Sequence, residues 1–160
     1  QRGFIKRLKH KARAMEITKT LSNLSNRSKE QDSYDIPLLG YISAGDPIEA
    51  IENPNEYINV PSSFISPNNQ YFGLKVNGLS MIEKGIFDGD IAIIKKTNSV
   101  NNGKIAAVLT IDNEITLKTI NIKQNKIHLI PANKSYSEKI FNLDEVQIQG
   151  TLTGIIRKYN

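Results

Sequence analysis

The sequence predicts a mainly β protein, an all-β C-terminal body behind a short basic N-terminal segment. Three observations carry this. From Ile36 onward, Ile, Val, Leu, Tyr and Phe fall in short runs broken by Gly, Pro, Asn and Asp, the pattern of strands between turns. The dipeptides Asp88-Gly89, Asn102-Gly103 and Asp112-Asn113 supply tight turns between those runs. Residues 1–34 hold nine Lys/Arg against three Asp/Glu, whereas residues 35–160 hold twelve against thirteen, so the whole excess of the +5 net charge sits in the first fifth. A basic end on a near-neutral body is the footprint of a polyanion-binding arm, with nucleic acid the natural partner.

The elements follow in order. Gln1-Arg2-Gly3 reads as a helix C-terminus, with a basic residue in the last turn and Gly after it. Phe4–Leu8 and Ala14–Thr18 read as two short strands around the basic turn Lys9-His10-Lys11-Ala12-Arg13. A helix end followed by a basic-tipped hairpin is the remnant of a winged helix-turn-helix over residues 1–20, cut near the end of its recognition helix. The wing residues Lys9, His10, Lys11 and Arg13 are its candidate DNA contacts. Residues 21–35 are polar and Ser/Asn-rich, the composition of a flexible linker. Residues 36–160 form the body, with strands predicted at Leu38–Ser43, Tyr57–Val60, Tyr71–Val76, Ile91–Lys96, Lys104–Ile111, Glu114–Ile120, Lys126–Ile130 and Val146–Arg157. A turn or two of helix is expected after Asp46-Pro47 or near Ser80–Glu83.

Composition removes several function classes. The chain has no cysteine, which excludes a disulfide framework, a thiolate zinc site and a cysteine nucleophile. Its two histidines, His10 and His128, argue against a histidine metal centre, and no cofactor or metal is expected. The longest apolar runs, such as Ile91–Ile94, are far short of the ~20 residues that span a bilayer, and the start lacks a signal peptide. The expectation is a cytoplasmic protein without a membrane partner.

Two residues invite chemistry. Ser80 follows a strand and a glycine in Val76-Asn77-Gly78-Leu79-Ser80-Met81; its simplest reading is a helix N-cap, and a nucleophilic one needs a base. His128 alternates with Ile127 and Leu129, which fits a surface-facing or core side chain better than a base. Lys118 shares a strand face with Thr116 and Ile120, where an apolar setting would lower its pKa and yield the neutral amine a base must be. An exposed strand lysine is the plain alternative.

Six segments in order make a larger pattern: Pro37–Pro47, Val76–Met81, Gly85–Asp90, Ile115–Lys118, Leu129–Asn133 and Gly150–Arg157. This succession resembles the LexA family of self-cleaving Ser-Lys repressors, and Arg2–Ile17 is similar to the end of that family's winged helix. The resemblance implies a LexA- and signal-peptidase-like body that cuts its own chain at Ala44-Gly45. It assigns Ser80 as nucleophile, Lys118 as base, and the Leu79 and Ser80 backbone N–H groups as the oxyanion hole. It further implies operator DNA as a partner, a RecA–single-stranded DNA filament as co-activator of cleavage, and a homodimer through a C-terminal strand at about Thr153–Tyr159. The alternatives are a UmuD-like accessory subunit of a damage-tolerant polymerase, which has no use for a basic wing, and a phage-type repressor, which normally carries a different DNA-binding domain. A signal-peptidase relative would carry a membrane anchor. An inactive β domain is the remaining alternative.

Overall fold

A central strand that opens with an unbroken apolar run, Ile91-Ala92-Ile93-Ile94, has to be covered on both faces there, and the architecture follows from that need. The computed structural model describes residues 32–39 and 56–159. Its strands are β1 (Ser33–Leu39), β2 (Tyr57–Pro61), β3 (Tyr71–Lys75), β4 (Ile91–Lys96), β5 (Ile105–Thr110), β6 (Ile115–Lys123), β7 (Lys126–Ile130), β8 (Lys139–Asn142) and β9 (Val146–Ile156). They pair in the order β2-β1-β3-β4-β9-β5-β6-β7-β8, and β1 with β3 is the parallel pair. Among the described residues the only helical elements are three short 3-10 turns, so no helix there is long and apolar enough to cross a membrane.

Alternation along β4 splits the core. Ala92 and Ile94 pack with Phe72, Leu74, Met81, Ala107 and Leu117, while Ile93 packs on the opposite face with Ile36, Val60 and Tyr71. A third cluster joins Ala106, Val108, Ile120, Ile127 and Leu129. Strand β9 bridges the two halves, pairing with β4 through Gly150–Ile156 and with β5 through Val146–Thr151. It bulges between the partners of Ile93 and Ile94, and again between those of Ala107 and Val108, so one strand bends to serve both neighbours.

The expected all-β body is present, and most predicted strands fall within a residue or two of the observed ones. The described part of β1 starts at Ser33, not Leu38, so the last three residues given to the linker are strand. They are held by antiparallel pairing of Ser33–Pro37 with Tyr57–Pro61. Pro37 sits where β1 leaves β2 and joins β3, a place where its missing N–H costs little. Strand β8 was not predicted; only Phe141 of its four side chains is even partly covered. The helix expected near Ser80–Glu83 is a 3-10 turn over Ile82–Lys84. The winged-helix remnant, most of the linker, the end of the first predicted strand and the site after Asp46-Pro47 lie outside the described residues.

Gly150 marks a tight crossing of two backbones. A Cβ there would run into the Lys95 carbonyl oxygen and the Ile94 side chain, and neither backbone can retreat without opening the β4–β9 ladder. Gly150→Ala is expected to destabilise the body by about 1–3 kcal/mol, the usual cost of overpacking. An unchanged urea midpoint would show that the crossing relaxes freely.

Candidate active site

The turn after β3 is built to hold one serine out of regular structure. Gly78 adopts φ 92°, a conformation L side chains resist, and its N–H donates to Asp88 Oδ1 at 2.7 Å. The Gly89 N–H donates to the Val76 carbonyl and the Val76 N–H to the Asp90 carbonyl, which staples the Asp88-Gly89-Asp90 turn to the strand end. Buried Asp90 accepts both arms of the Arg157 fork, at 2.6 and 2.7 Å, and the Phe87 N–H at 2.8 Å. This pairing with Arg157 holds the Asp90 carboxyl below its usual range, against the opposing effect of burial. Arg157 also donates to the Gly85 carbonyl and lies 4.6 Å over the Phe87 ring, so the residue just beyond β9 clamps the whole turn.

Ser80 is not a helix cap. Met81 occupies the N-cap position of the 3-10 turn, without a side-chain capping bond, and buries its side chain in the core. The Ser80 hydroxyl instead lies 3.0 Å from Lys118 Nζ, joining residues 38 apart. Lys118 is placed by β6, whose neighbouring Leu117 is packed into the core beneath it. Its Nζ also reaches Thr116 Oγ1 at 2.5 Å and the Leu117 carbonyl at 3.3 Å. Burial lowers the Lys118 pKa below the ordinary lysine value; nearby Glu114 opposes the shift and Lys139 adds to it.

These contacts suit a neutral amine. Two N–H groups can donate to Thr116 Oγ1 and the Leu117 carbonyl, which leaves the lone pair facing Ser80 to accept its proton. The pair opens into a groove of about 720 Å³ lined by Val76, Leu79, Ile115, Leu117, Tyr136 and Lys139 among others. His128 bonds through Nδ1 to Glu138 Oε1 at 2.9 Å and takes no part in the pair. Among the described residues the Leu79 and Ser80 N–H groups donate to no backbone carbonyl or side chain, whereas both residues' carbonyls are bonded.

Of the residues predicted for the site, Ser80, Lys118 and Leu79 come together. Ala44, Gly45 and the wing residues Lys9, His10, Lys11 and Arg13 lie outside the described residues. Sequence reasoning put Thr116 on the Lys118 face but gave it no role, and it noticed neither the Asp90–Arg157 clamp nor the contact of Asn133 with the Leu79 carbonyl. For Asn133 the one signal was its place in Leu129–Asn133, one of the six segments that carry the family resemblance.

Residues 37–153 match the family described as Peptidase S24-like. The chain is 42% identical to the LexA repressor of Pelagibacter ubique over 99% of its own length and 78% of that protein's. It is 38% identical to the LexA repressor of Erythrobacter litoralis, over 100% of this chain and 79% of that one. Similarity extends to the LexA repressor of Thermotoga neapolitana, 40% identical over 99% and 71%.

A partly buried lysine charge with no ion pair among the described residues should penalise the fold until it is lost. The native pKa lies below the unfolded value of about 10.4, so stability should rise with pH between the two. Lys118→Met is therefore expected to melt above its parent at pH 7, with the advantage narrowing as pH climbs through that window. Both proteins would carry Ser80→Ala so that the serine plays no part. An advantage independent of pH, or none, would contradict a desolvated lysine.

Proposed function

We infer the mechanism from one premise: the chain belongs to the LexA repressors within the Peptidase S24-like family, repressors of DNA-damage genes that inactivate themselves by autocatalytic serine-peptidase cleavage. The catalytic pair is Ser80 and Lys118. The observation that carries this assignment is the 3.0 Å approach of Lys118 Nζ to Ser80 Oγ in a groove that desolvates the amine. Neutral Lys118 takes the Ser80 proton as Oγ attacks the Ala44 carbonyl carbon. The Leu79 and Ser80 N–H groups receive the oxyanion, where losing one donor typically costs ~2.7–4 kcal/mol of barrier. The Lys118 ammonium then protonates the Gly45 nitrogen as the Ala44–Gly45 bond breaks. Water, activated by the same amine, hydrolyses the Ser80 ester and leaves a carboxylate on Ala44.

The chain's path supports a substrate carried by the same molecule. Segment 40–55 leaves β1 where Leu39 pairs with Leu74 and returns where the Glu56 carbonyl accepts the Leu38 N–H; Leu74 lines the groove. Ala44 lies five residues beyond Leu39, a reach of up to ~17 Å at about 3.4 Å per step. Small residues at 44 and 45 admit the nucleophile closely. Attack within one chain makes positioning, not binding, the determinant of rate. A RecA–single-stranded DNA filament that favours the docked segment accelerates cleavage by shifting that population.

Residues 1–20 supply the end of the DNA-reading module, 21–35 its tether, and 36–160 the peptidase and dimerisation body. Cleavage after Ala44 separates the first from the last, so two half-site contacts lose their linkage and operator DNA is released. The homodimer forms through the C-terminal strand. Supporting this, β9 pairs with β4 as far as Ile156 but with β5 only to Thr151, so from Leu152 on one edge has no strand neighbour among the described residues.

Intact-mass spectrometry after incubation at pH 7 and at about pH 10 tests the assignment. Two fragments meeting at Ala44/Gly45, formed faster at the higher pH and absent from Ser80→Ala and Lys118→Ala, are the expected result. A rate flat in pH, or one that survives Lys118→Ala, would remove Lys118 from its role.

A further inference from the structure

Three contacts tie one segment to the nucleophile. The Ala132 N–H donates to the Ser80 carbonyl at 2.7 Å, the Glu83 N–H donates to the Ala132 carbonyl at 2.8 Å, and Asn133 Nδ2 donates to the Leu79 carbonyl at 2.8 Å. The Asn133 side chain is itself fixed, because its Oδ1 accepts the Ser135 N–H at 2.9 Å, and its own carbonyl accepts the Tyr136 N–H. Ser80 is flanked by two peptide planes, and both are pinned from residues 132 and 133.

The Leu79 carbonyl and the Ser80 N–H belong to one planar peptide unit and point in opposite directions across it. A donor that holds the carbonyl on one side therefore aims the N–H at the other. The remaining backbone contact to the Leu79 carbonyl, from the Ile82 N–H, is 3.4 Å long and provides a weaker hold. The Ser80 N–H donates to no backbone carbonyl or side chain among the described residues. Resting on the reading that Ser80 is the nucleophile, we infer that Asn133 is a positioning residue: its amide sets the Leu79–Ser80 peptide so that the Ser80 N–H faces the oxyanion. Without that bond the plane can rock about its flanking dihedrals, and a donor that must be met at hydrogen-bond distance in the transition state is misaimed.

The inference separates from the Lys118 assignment by which part of the pH profile it moves. Asn133 meets the peptide and not the amine, so its loss should lower the limiting rate at high pH and leave the midpoint in place. The test is the self-cleavage rate of the full chain, by intact mass, across the pH series for the parent, Asn133→Ala and Asn133→Asp. The aspartate keeps an acceptor for the Ser135 N–H and removes only the donor to Leu79, so it preserves the turn. Its extra charge can move the midpoint, so its limiting rate is the quantity compared.

The expected limiting rate falls by about tenfold or more in both variants, short of the roughly 10²–10³ that outright loss of an oxyanion donor costs. The Asn133→Ala midpoint should stay at the parent's, and Asn133→Asp should keep the parent's circular dichroism. Limiting rates within about twofold of the parent, or a loss no larger than the unfolded fraction, would overturn the inference while leaving Ser80 and Lys118 in place. A parent chain that never cuts itself would overturn it together with the reading it rests on.

Discussion

A lysine ammonium removed from water loses several kcal/mol of hydration and needs a matched charge in return. Among the described residues Lys118 has no ion pair: its Nζ meets the Ser80 hydroxyl, the Thr116 hydroxyl and the Leu117 carbonyl, all neutral, and Glu114 offsets burial only in part. The fold thus places a cation where shedding a proton is the route to relief. The same lone pair that relieves the strain is the one aimed at a hydroxyl. On the proposed mechanism desolvation and catalysis are one constraint, and the apolar packing of Leu117, Met81 and Ala132 beneath the site is what imposes it. On that proposal the cost to stability comes with the function.

A base in the right protonation state is useless unless the serine stays within reach, and Ser80 lies outside any strand or long helix. Its turn is fixed from two directions. The Asp88-Gly89-Asp90 turn ties its entry to the end of β3 and, through Arg157, to the end of β9. The Pro131–Asn133 segment, just beyond β7, grips its backbone. Strands β3, β6, β7 and β9 thus each contribute one hold on the site. Sheet register therefore sets the geometry of the Ser80–Lys118 pair directly: a slip in β9 would withdraw Arg157, and a slip in β6 would turn Lys118 to the other face.

The fold was legible where local chemistry decides it. The run Ile91–Ile94, with neither alternation nor charge, announces a strand covered on both faces, and Asp112-Asn113 announces a hairpin, with Asn113 at φ 59°. Gln124 and Asn125 make the β6–β7 turn with φ of 53° and 60°, although neither is glycine; the cross-strand packing of Ile120 on Leu129 and Ile127 on Ile122 compels it. Strand β8 is invisible because Lys139, Ile140 and Asn142 are exposed and it exists only by pairing with β7. Ser33 to Asp35 read as linker because they are polar, and pairing with β2 overrides composition. The site divides in the same way. Lys118 was readable as a strand lysine beside apolar neighbours, but its meeting with a serine 38 residues away is a property of the sheet, and family likeness, not periodicity, pointed to it. Asp90 and Arg157, 67 residues apart, left no local trace of their pairing.

The most direct test of a lysine held ready as a neutral amine is the titration of Lys118 itself. Selective ¹³C labelling of lysine, in the full chain carrying Ser80→Ala, would let its ε-carbon resonance be followed by NMR against pH, with assignment by loss of the signal in Lys118→Met. A midpoint clearly below the ~10.4 of a free lysine, set apart from the surface lysines, is the predicted result. A Lys118 that titrates with the surface lysines would mean the amine stays charged at neutral pH, and would contradict its proposed role as the base for Ser80.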